Sequence, residues 1–352
     1  MPVATNCGCV EGLTEAHDDL LRGICLMITA YRSNGEAIAL SVGHQLEALS
    51  PDIIWLDLDC PTREEDHYAE RLTGIEVPTR QDLKDIEPSS RLYTDGKATY
   101  LTGSLLAHAD SGMPMLTDIA FVLTDAVLVT VRYDNPKSFK LFATSMCRIP
   151  GGISTARAAL TKLMETITDR TAEVLEHAEI KGDTLLQQIF GTEQAVSKRR
   201  PPKFLENLLI EIAQHHRLVS KARDSLTSLS RLMTFLYSVP TIQADHEAKE
   251  LCRSISRDIQ SLSEHASFIS GNITFLLDAS LGLINVEQNA IIKIFSIASV
   301  VFLPPTLVAS IYGMNFKTMP ELEWVFGYPS SLLLMIISAI IPFFFFRWKG
   351  WL

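Results

Sequence analysis

Short apolar runs separated by turn residues characterise the first part of the chain, over residues 22–150. Such runs predict β-strands, here over 24–31, 37–42, 53–58, 98–106, 119–123 and 127–133. Helical spacing appears between or after them, near 62–73, 79–87 and 136–147. The pattern therefore predicts a small α/β domain, which ends close to Gly151 and Gly152.

From residue 151 to residue 240 the spacing of apolar residues is helical. One helix is predicted over 154–190 and a second over 205–236. Residues 198–202 break the pattern between the two helices, and Pro240 ends the second one. This region is thus a helical part that follows the α/β domain.

Beyond Pro240, no residue stops a helix before residue 312. Apolar positions keep the helical period, and Gly271 and Gly282 are the only weak points. We predict one stalk helix over 241–312, about 105 Å long at 1.5 Å per residue. A helix of this length needs neighbours along its sides, which indicates a bundle or an oligomer.

Two uncharged runs lie towards the end of the chain, over 294–316 and 324–346, and each holds 23 residues. About 20 apolar residues cross a bilayer, so each run is long enough to span a membrane. We predict that the stalk helix continues into the first transmembrane helix, that 313–327 form a short periplasmic loop, and that 328–347 form the second transmembrane helix.

Charge predicts the orientation of these spans. Lys293 lies at the start of the first span, and Arg347 and Lys349 follow the second, so the positive-inside rule places both termini in the cytoplasm, with 348–352 as the cytoplasmic end. The 352-residue chain has a net charge of −10. The two acids and four bases after residue 289 leave a net charge of −12 before it, which argues against a general nucleic-acid binder.

Residues 1–21 lack the basic start and apolar run of a signal peptide, so we expect a disordered tail there. The six cysteines would then lie in a reducing compartment, where no disulfide framework is expected.

The most specific cluster is Tyr312-Gly313-Met314-Asn315, at the outer end of the first of the two spans. A cluster of this kind in this place resembles the CorA family of divalent-cation transporters, in its magnesium-transporting bacterial branch. The likeness extends to five further segments, at 287–289, 302–306, 319–322, 327–329 and 351–352.

The resemblance implies a funnel-shaped homo-oligomer, a pentamer. Each chain would have an α+β cytoplasmic domain, a long stalk helix and two C-terminal transmembrane helices. The first spans would line a pore that carries Mg²⁺ passively through the bacterial inner membrane, with Co²⁺ and Ni²⁺ as secondary substrates. The partners of the chain would be further copies of itself and the lipid bilayer.

Asn315 suits the selection of Mg²⁺ for a chemical reason. Because Mg²⁺ dehydrates reluctantly, a pore can recognise the hydrated ion through hydrogen bonds from its bound water. The amide carbonyl of Asn315 accepts such bonds, carries no charge that would trap the ion, and forms a ring in an oligomer. Gly313 permits a turn or a close approach, and Tyr312 and Met314 are expected to pack.

A stripe along the first span supports a pore. Its residues recur at alternating steps of three and four, which places them on one helix face: Asn289, Ile292, Ser296, Ser299, Leu303, Thr306 and Ser310. Small polar residues also occur in ordinary helix packing, but together with Asn315 the stripe predicts a pore lining. Asn289 would form an inner polar ring, and Ile292 and Leu303, with Phe295, would form apolar constrictions that gate by dewetting.

Two further features concern regulation and the basic end of the second span. The resemblance places a regulatory Mg²⁺ carboxylate at Asp278, just before the membrane, and a solvated aspartate is the alternative. Arg347 and Lys349 match the family's basic collar around the pore entrance, although Trp348 and Gly350 interrupt the run. These two bases are equally compatible with simple topology signals.

Two alternative functions stay open. One is a zinc transporter of the same superfamily, with or without proton coupling, and the turn at 319–322 argues against it. The other is a membrane-anchored Mg²⁺ sensor without conduction, and the polar stripe argues against that. The sequence contains no catalytic constellation, so no enzyme is expected.

Overall fold

The structure is a computed structural model that describes residues 28–42, 49–85, 91–149, 152–190, 203–315, 320 and 324–351. The chain divides into two compact units, Met1–Leu276 and Leu277–Leu352. Several sequence predictions lie outside the described residues: the tail over 1–21, the break at 198–202, and the turn at 319–322 apart from Pro320.

A seven-stranded sheet forms the centre of the first unit, with the strand order β2-β1-β3-β7-β6-β5-β4. The strands are β1 (Ile28–Arg32), β2 (Ala37–Leu40), β3 (Ile53–Asp59), β4 (Leu92–Asp95), β5 (Ala98–Ala107), β6 (Met115–Leu123) and β7 (Leu128–Arg132). Only β3 and β7 pair in parallel. The six predicted strands are confirmed, with described ends shifted by up to four residues, and β4 is an addition.

Eight α-helices occur in the described residues. They are α1 (Arg63–Thr73), α2 (Arg80–Asp85), α3 (Lys137–Met146), α4 (Ala156–Phe190), α5 (Phe204–Ser238), α6 (Pro240–Ala244), α7 (His246–Tyr312) and α8 (Gly327–Trp348). The helices predicted near 62–73, 79–87, 136–147, 154–190 and 205–236 are confirmed as α1 to α5.

Both faces of the central strands are buried, as the apolar run of β3 requires. On one face Leu56 belongs to a core cluster that includes Tyr68 of α1. On the other face the ring of Trp55 lies 5.1 Å from that of Phe142 and 6.3 Å from that of Phe139, both on α3. The sheet thus lies between helices on its two sides.

Helix α5 covers the edge of β5 that the short β4 leaves open. The backbone N–H of Ser104 donates to Ser228 Oγ (2.8 Å), and the N–H of Leu106 donates to Ser225 Oγ (3.1 Å). A Cβ on Gly103 would lie 2.5 Å from Leu232 Cδ1, so a side chain here would force the Leu232 side chain to move. Two serine hydroxyls therefore replace the missing strand at an otherwise exposed edge.

The prediction of one unbroken stalk helix from residue 241 is wrong at its start. Helix α6 ends at Ala244, Asp245 is extended (φ −99°, ψ 107°), and α7 begins at His246. Asp245 Oδ1 accepts from the Ala248 N–H (3.1 Å), so Asp245 caps α7 instead of continuing α6. The remaining helix of 67 residues is roughly 100 Å long.

The second unit holds the end of α7 and the whole of α8. Helix α8 has 22 residues and extends the predicted second span by one residue at each end. Both α7 and α8 contain segments that are long and apolar enough to cross a membrane. Both predicted spans are therefore helical in the structure.

Candidate ion-conduction site

All seven residues of the predicted stripe are exposed side by side on the last part of α7. Ile292 is 59% exposed and Leu303 is 66% exposed. On the opposite side of the same helix, Ile297 is buried and Val301 is half-buried. The stripe is exposed in the single chain, as are neighbouring apolar residues outside it such as Ile294 and Phe295.

Three hydroxyls of the stripe bond to their own helix. Ser299 donates to the Phe295 carbonyl oxygen (2.9 Å), Thr306 to that of Phe302 (2.8 Å), and Ser310 to that of Thr306 (2.8 Å). A hydroxyl that has given its proton to the backbone can only accept from other groups. The stripe therefore offers acceptors, which is what the water around a cation needs, since that water donates its hydrogens outward.

The predicted selectivity motif begins where α7 ends. Tyr312 is the last helical residue and is half-buried, whereas Met314 and Asn315 are exposed. The Gly313 N–H donates to the Ala309 carbonyl (3.0 Å), which closes the last turn. The carboxyl end of a helix carries partial negative charge, so the motif lies where a cation is favoured without any carboxylate.

At Gly313 the structure shows a close approach to the preceding helical turn and no unusual φ. Its φ is not among the positive values that glycines adopt elsewhere in the described chain. A Cβ at this position would lie 3.1 Å from the Ala309 carbonyl oxygen and 3.6 Å from that of Ser310. The first distance is tighter than nine in ten real Cβ contacts, so a side chain here would require the final turn of α7 to shift by a few tenths of an ångström.

Asp278 is exposed on α7, near the start of the second unit. Within the described residues, no group of three or more His, Cys, Asp or Glu side chains is arranged to hold a metal ion. One chain therefore does not assemble a regulatory site around Asp278 from its described residues, and that role stays a prediction.

Three basic residues lie near the end of α8, one more than the two that the sequence predicted there. Arg347 and Lys349 are exposed at the end of α8, and Lys349 Nζ lies 5.9 Å from the centroid of the Phe345 ring. Lys293 of α7, considered above only as a topology signal, places Nζ 6.0 Å from the centroid of the Trp351 ring.

An α/β unit, a very long helix and two segments that are long and apolar enough to cross a membrane are typical of a membrane protein with a large soluble domain. Comparison with known proteins agrees. A sequence model of the family described as "CorA-like Mg2+ transporter protein" matches residues 50–348. The chain belongs to the CorA family.

Curated relatives carry the same family name. "Magnesium transport protein CorA" of Pasteurella multocida is 35% identical over 299 residues, which cover 85% of this chain and 92% of that protein. The protein of the same name from Haemophilus ducreyi is 33% identical over 301 residues (86% and 92%), and that from Salmonella typhimurium is 34% identical over 304 residues (86% and 92%).

Solved structures show the same fold. The complete CorA magnesium transporter of Methanocaldococcus jannaschii matches with a TM-score of 0.69 at 20% identity, over 94% of this chain and 100% of that one. The cytoplasmic domain of ZntB from Vibrio parahaemolyticus matches with a TM-score of 0.52 at 11% identity, over 73% and 97%. At such identities the likeness concerns the fold alone, so the ZntB match does not favour the zinc alternative.

Proposed function

We propose that this chain forms a homo-oligomeric channel that carries Mg²⁺ passively across the bacterial inner membrane, with both termini in the cytoplasm. The observation that carries the proposal is the exposed, uncharged, acceptor-rich stripe on α7, which leads to Asn315. The names of the relatives, which are magnesium transport proteins, support the choice of ion.

Selection acts on the hydrated ion. The amide of Asn315 accepts hydrogen bonds from ion-bound water, and one copy from each chain completes a ring. Thr306 and Ser299 accept further bonds along the path, because their own protons are given to the helix. Between Glu287 and Asn315 the chain has no carboxylate, so nothing along this path holds the divalent ion tightly.

The exposure of the stripe supports oligomerisation. Isolated α7 would place Ile292 and Leu303 against lipid together with serine and threonine hydroxyls, whereas a ring of helices turns the mixed face inward. The subunit number of five, and the carriage of Co²⁺ and Ni²⁺, rest on the family resemblance. An inside-negative potential drives uptake with about 4.6 kcal/mol per 100 mV for a divalent ion.

Closure at high internal Mg²⁺ completes the proposal. A passive pore would otherwise overfill the cell, and the region before residue 290 carries a net charge of −12. Mg²⁺ bound between subunits at Asp278 would screen this repulsion and hold the stalk helices together. The apolar constriction at Ile292 and Leu303 then stays dry, and loss of Mg²⁺ lets it hydrate.

The test is uptake into liposomes that contain only the purified full-length protein, under an imposed inside-negative potential. We expect Mg²⁺ uptake that needs no proton gradient and exceeds Zn²⁺ uptake. Zn²⁺ uptake that exceeds Mg²⁺ uptake and depends on a proton gradient would support the zinc transporter instead. Mg²⁺ binding without any uptake would support the sensor.

A further inference from the structure

The chain reverses sharply after α8. Gly350 adopts a left-handed backbone (φ +71°), and its N–H donates to the Arg347 carbonyl oxygen (3.1 Å). The Trp351 N–H donates to the Phe346 carbonyl oxygen, also at 3.1 Å. Arg347 and Phe346 are the second- and third-last residues of the helix. These two backbone hydrogen bonds together form a Schellman motif, which is a common way for a helix to end.

The motif turns Trp351 back onto the helix pair. Its ring stacks on that of Phe346, with centroids 5.5 Å apart and planes 26° apart. This is the apolar contact that accompanies a Schellman motif. The same Trp351 ring lies 6.0 Å from the ammonium nitrogen of Lys293, within the range of a cation–π interaction. The cap of α8 thereby contacts α7 through one aromatic ring.

Lys293 lies next to the polar stripe on α7. It follows Ile292, a residue of the stripe, and one step along a helix turns a side chain by about 100°. Lys293 therefore lies at the flank of the stripe, between Asn289 and the side that contains Ile297. A lysine stem is long and flexible, so a free ammonium at this position can reach the stripe.

We propose that Trp351 is a positioning residue that holds the Lys293 ammonium beside α8 and away from the stripe. The inference rests on the proposed function, because a positive charge beside the stripe matters only where cations pass. In an oligomer each chain contributes one Lys293, so release of these side chains would place a ring of positive charge at the mouth of the pore. A divalent ion feels twice the repulsion that a monovalent ion feels.

The chain offers a matched control. Trp348 lies three residues before Trp351, in the last turn of α8, and is 82% exposed. Only Trp351 is carried back by the turn at Gly350. Trp348→Leu therefore removes the same side chain from the same end of α8 without touching the contact to Lys293.

The first experiment compares Mg²⁺ uptake into liposomes by the wild-type protein and its variants. We expect Trp351→Leu to lower uptake several-fold and Trp348→Leu to leave it near the wild-type rate. We expect the double variant Lys293→Met, Trp351→Leu to recover the rate of Lys293→Met alone, since no charge is left to be released. Equal losses in the two tryptophan variants, or no recovery in the double variant, would overturn the proposal.

A second variant guards against misfolding of Trp351→Leu. A Cβ on Gly350 would meet no atom within 4 Å, so Gly350→Ala opposes only the left-handed backbone of the cap. We expect a smaller loss of uptake in the same direction, again suppressed by Lys293→Met. A loss that Lys293→Met does not suppress would count against the contact.

A second readout does not depend on transport. Mass spectrometry can follow the reaction of Lys293 with an amine-acylating reagent in the membrane-embedded protein. We expect Trp351→Leu to raise the labelling of Lys293 several-fold and Trp348→Leu to leave it unchanged. Unchanged labelling in Trp351→Leu would refute the positioning role even if the protein transports Mg²⁺. Absence of uptake by the wild-type protein would instead refute the proposed function.

Discussion

Thr306 gives its hydroxyl proton to the carbonyl oxygen of Phe302, 2.8 Å away, and faces the exposed side of α7 as an acceptor. This relationship makes an uncharged helix face suitable for a hydrated cation. A threonine in a membrane helix can accept hydrogen bonds or can simply pack against a neighbour. Packing depends on the shape of the side chain, whereas accepting a hydrogen bond depends on the lone pairs of its oxygen.

We therefore expect Thr306→Val to lower Mg²⁺ uptake by about two- to tenfold, because Oγ1 accepts from the water bound to the ion and such a hydrogen bond contributes about 0.5–1.5 kcal/mol. Thr306→Ser keeps the acceptor and should retain most of the flux. The measurement is initial uptake at equal amounts of assembled protein. Equal rates in the valine and serine variants would show that Oγ1 accepts nothing from the ion's water.

Apolar residues of the stripe should act as a gate. We expect Ile292→Gly and Leu303→Gly to raise uptake at high internal Mg²⁺, because a wider and less apolar constriction hydrates more easily. Val301→Gly is the matched control, since Val301 is half-buried on the opposite side of α7. Uptake by Val301→Gly that rises as much as in the stripe variants would mean that the stripe serves only for packing.

Asp278 should set the Mg²⁺ dependence of closure without affecting selectivity. We expect Asp278→Ala to require more Mg²⁺ for closure, whereas Asp278→Lys should favour closure by supplying a fixed cation. Protease digestion of the soluble domain provides the measurement, because millimolar Mg²⁺ should protect the wild-type protein more than Asp278→Ala. Identical protection and identical closure in both proteins would assign sensing to other carboxylates.

His215 gives the soluble domain a pH dependence. Its side chain is buried, and Nε2 has no hydrogen-bond partner among the described residues. Burial lowers the pKa of His215, and Lys181 and His216 lower that pKa further. The ring packs over Gly182, where a Cβ would lie 3.5 Å from Nε2.

The sign of this dependence follows from the lowered pKa. The folded protein binds a proton at His215 less readily than the unfolded chain, whose histidine pKa is about 6.5. The contribution to stability is therefore complete above about pH 6.5 and declines as the pH falls below it. We expect His215→Gln to flatten the loss of thermal stability between pH 7 and pH 5. A loss as steep in His215→Gln as in the wild-type protein would assign the effect to other groups.

The sequence predicted secondary structure best where a run of several residues shares one periodicity or one composition. The apolar runs predicted β3 and β7, and the uncharged segments predicted the helices at the end of the chain. Strand β4 was not predicted because Leu92–Asp95 is short and largely exposed, so no apolar run marks it. Asp245 was overlooked because an N-cap inside a long helical pattern looks like one more polar position.

Contacts between distant segments could not be predicted from the pattern. Ser225 and Ser228 look like ordinary serines on a helix, and only the fold shows that they accept from β5. The stripe and Asn315 could be proposed from spacing and chemistry because they lie on one helix and its end. The pairing of Lys293 with Trp351 joins two segments, and nothing in either one predicts the other.

Uptake of Mg²⁺ by Asn315→Ala in liposomes that contain only this protein is the decisive test of ion selection at Asn315. The control is Asn272→Ala, which removes the same amide from an exposed position on α7, within the first unit. We expect that Asn315→Ala assembles normally but takes up Mg²⁺ at nearly the background rate of empty liposomes, while Asn272→Ala matches the wild-type protein. Near-normal uptake by correctly assembled Asn315→Ala would show that the ion is not selected at Asn315.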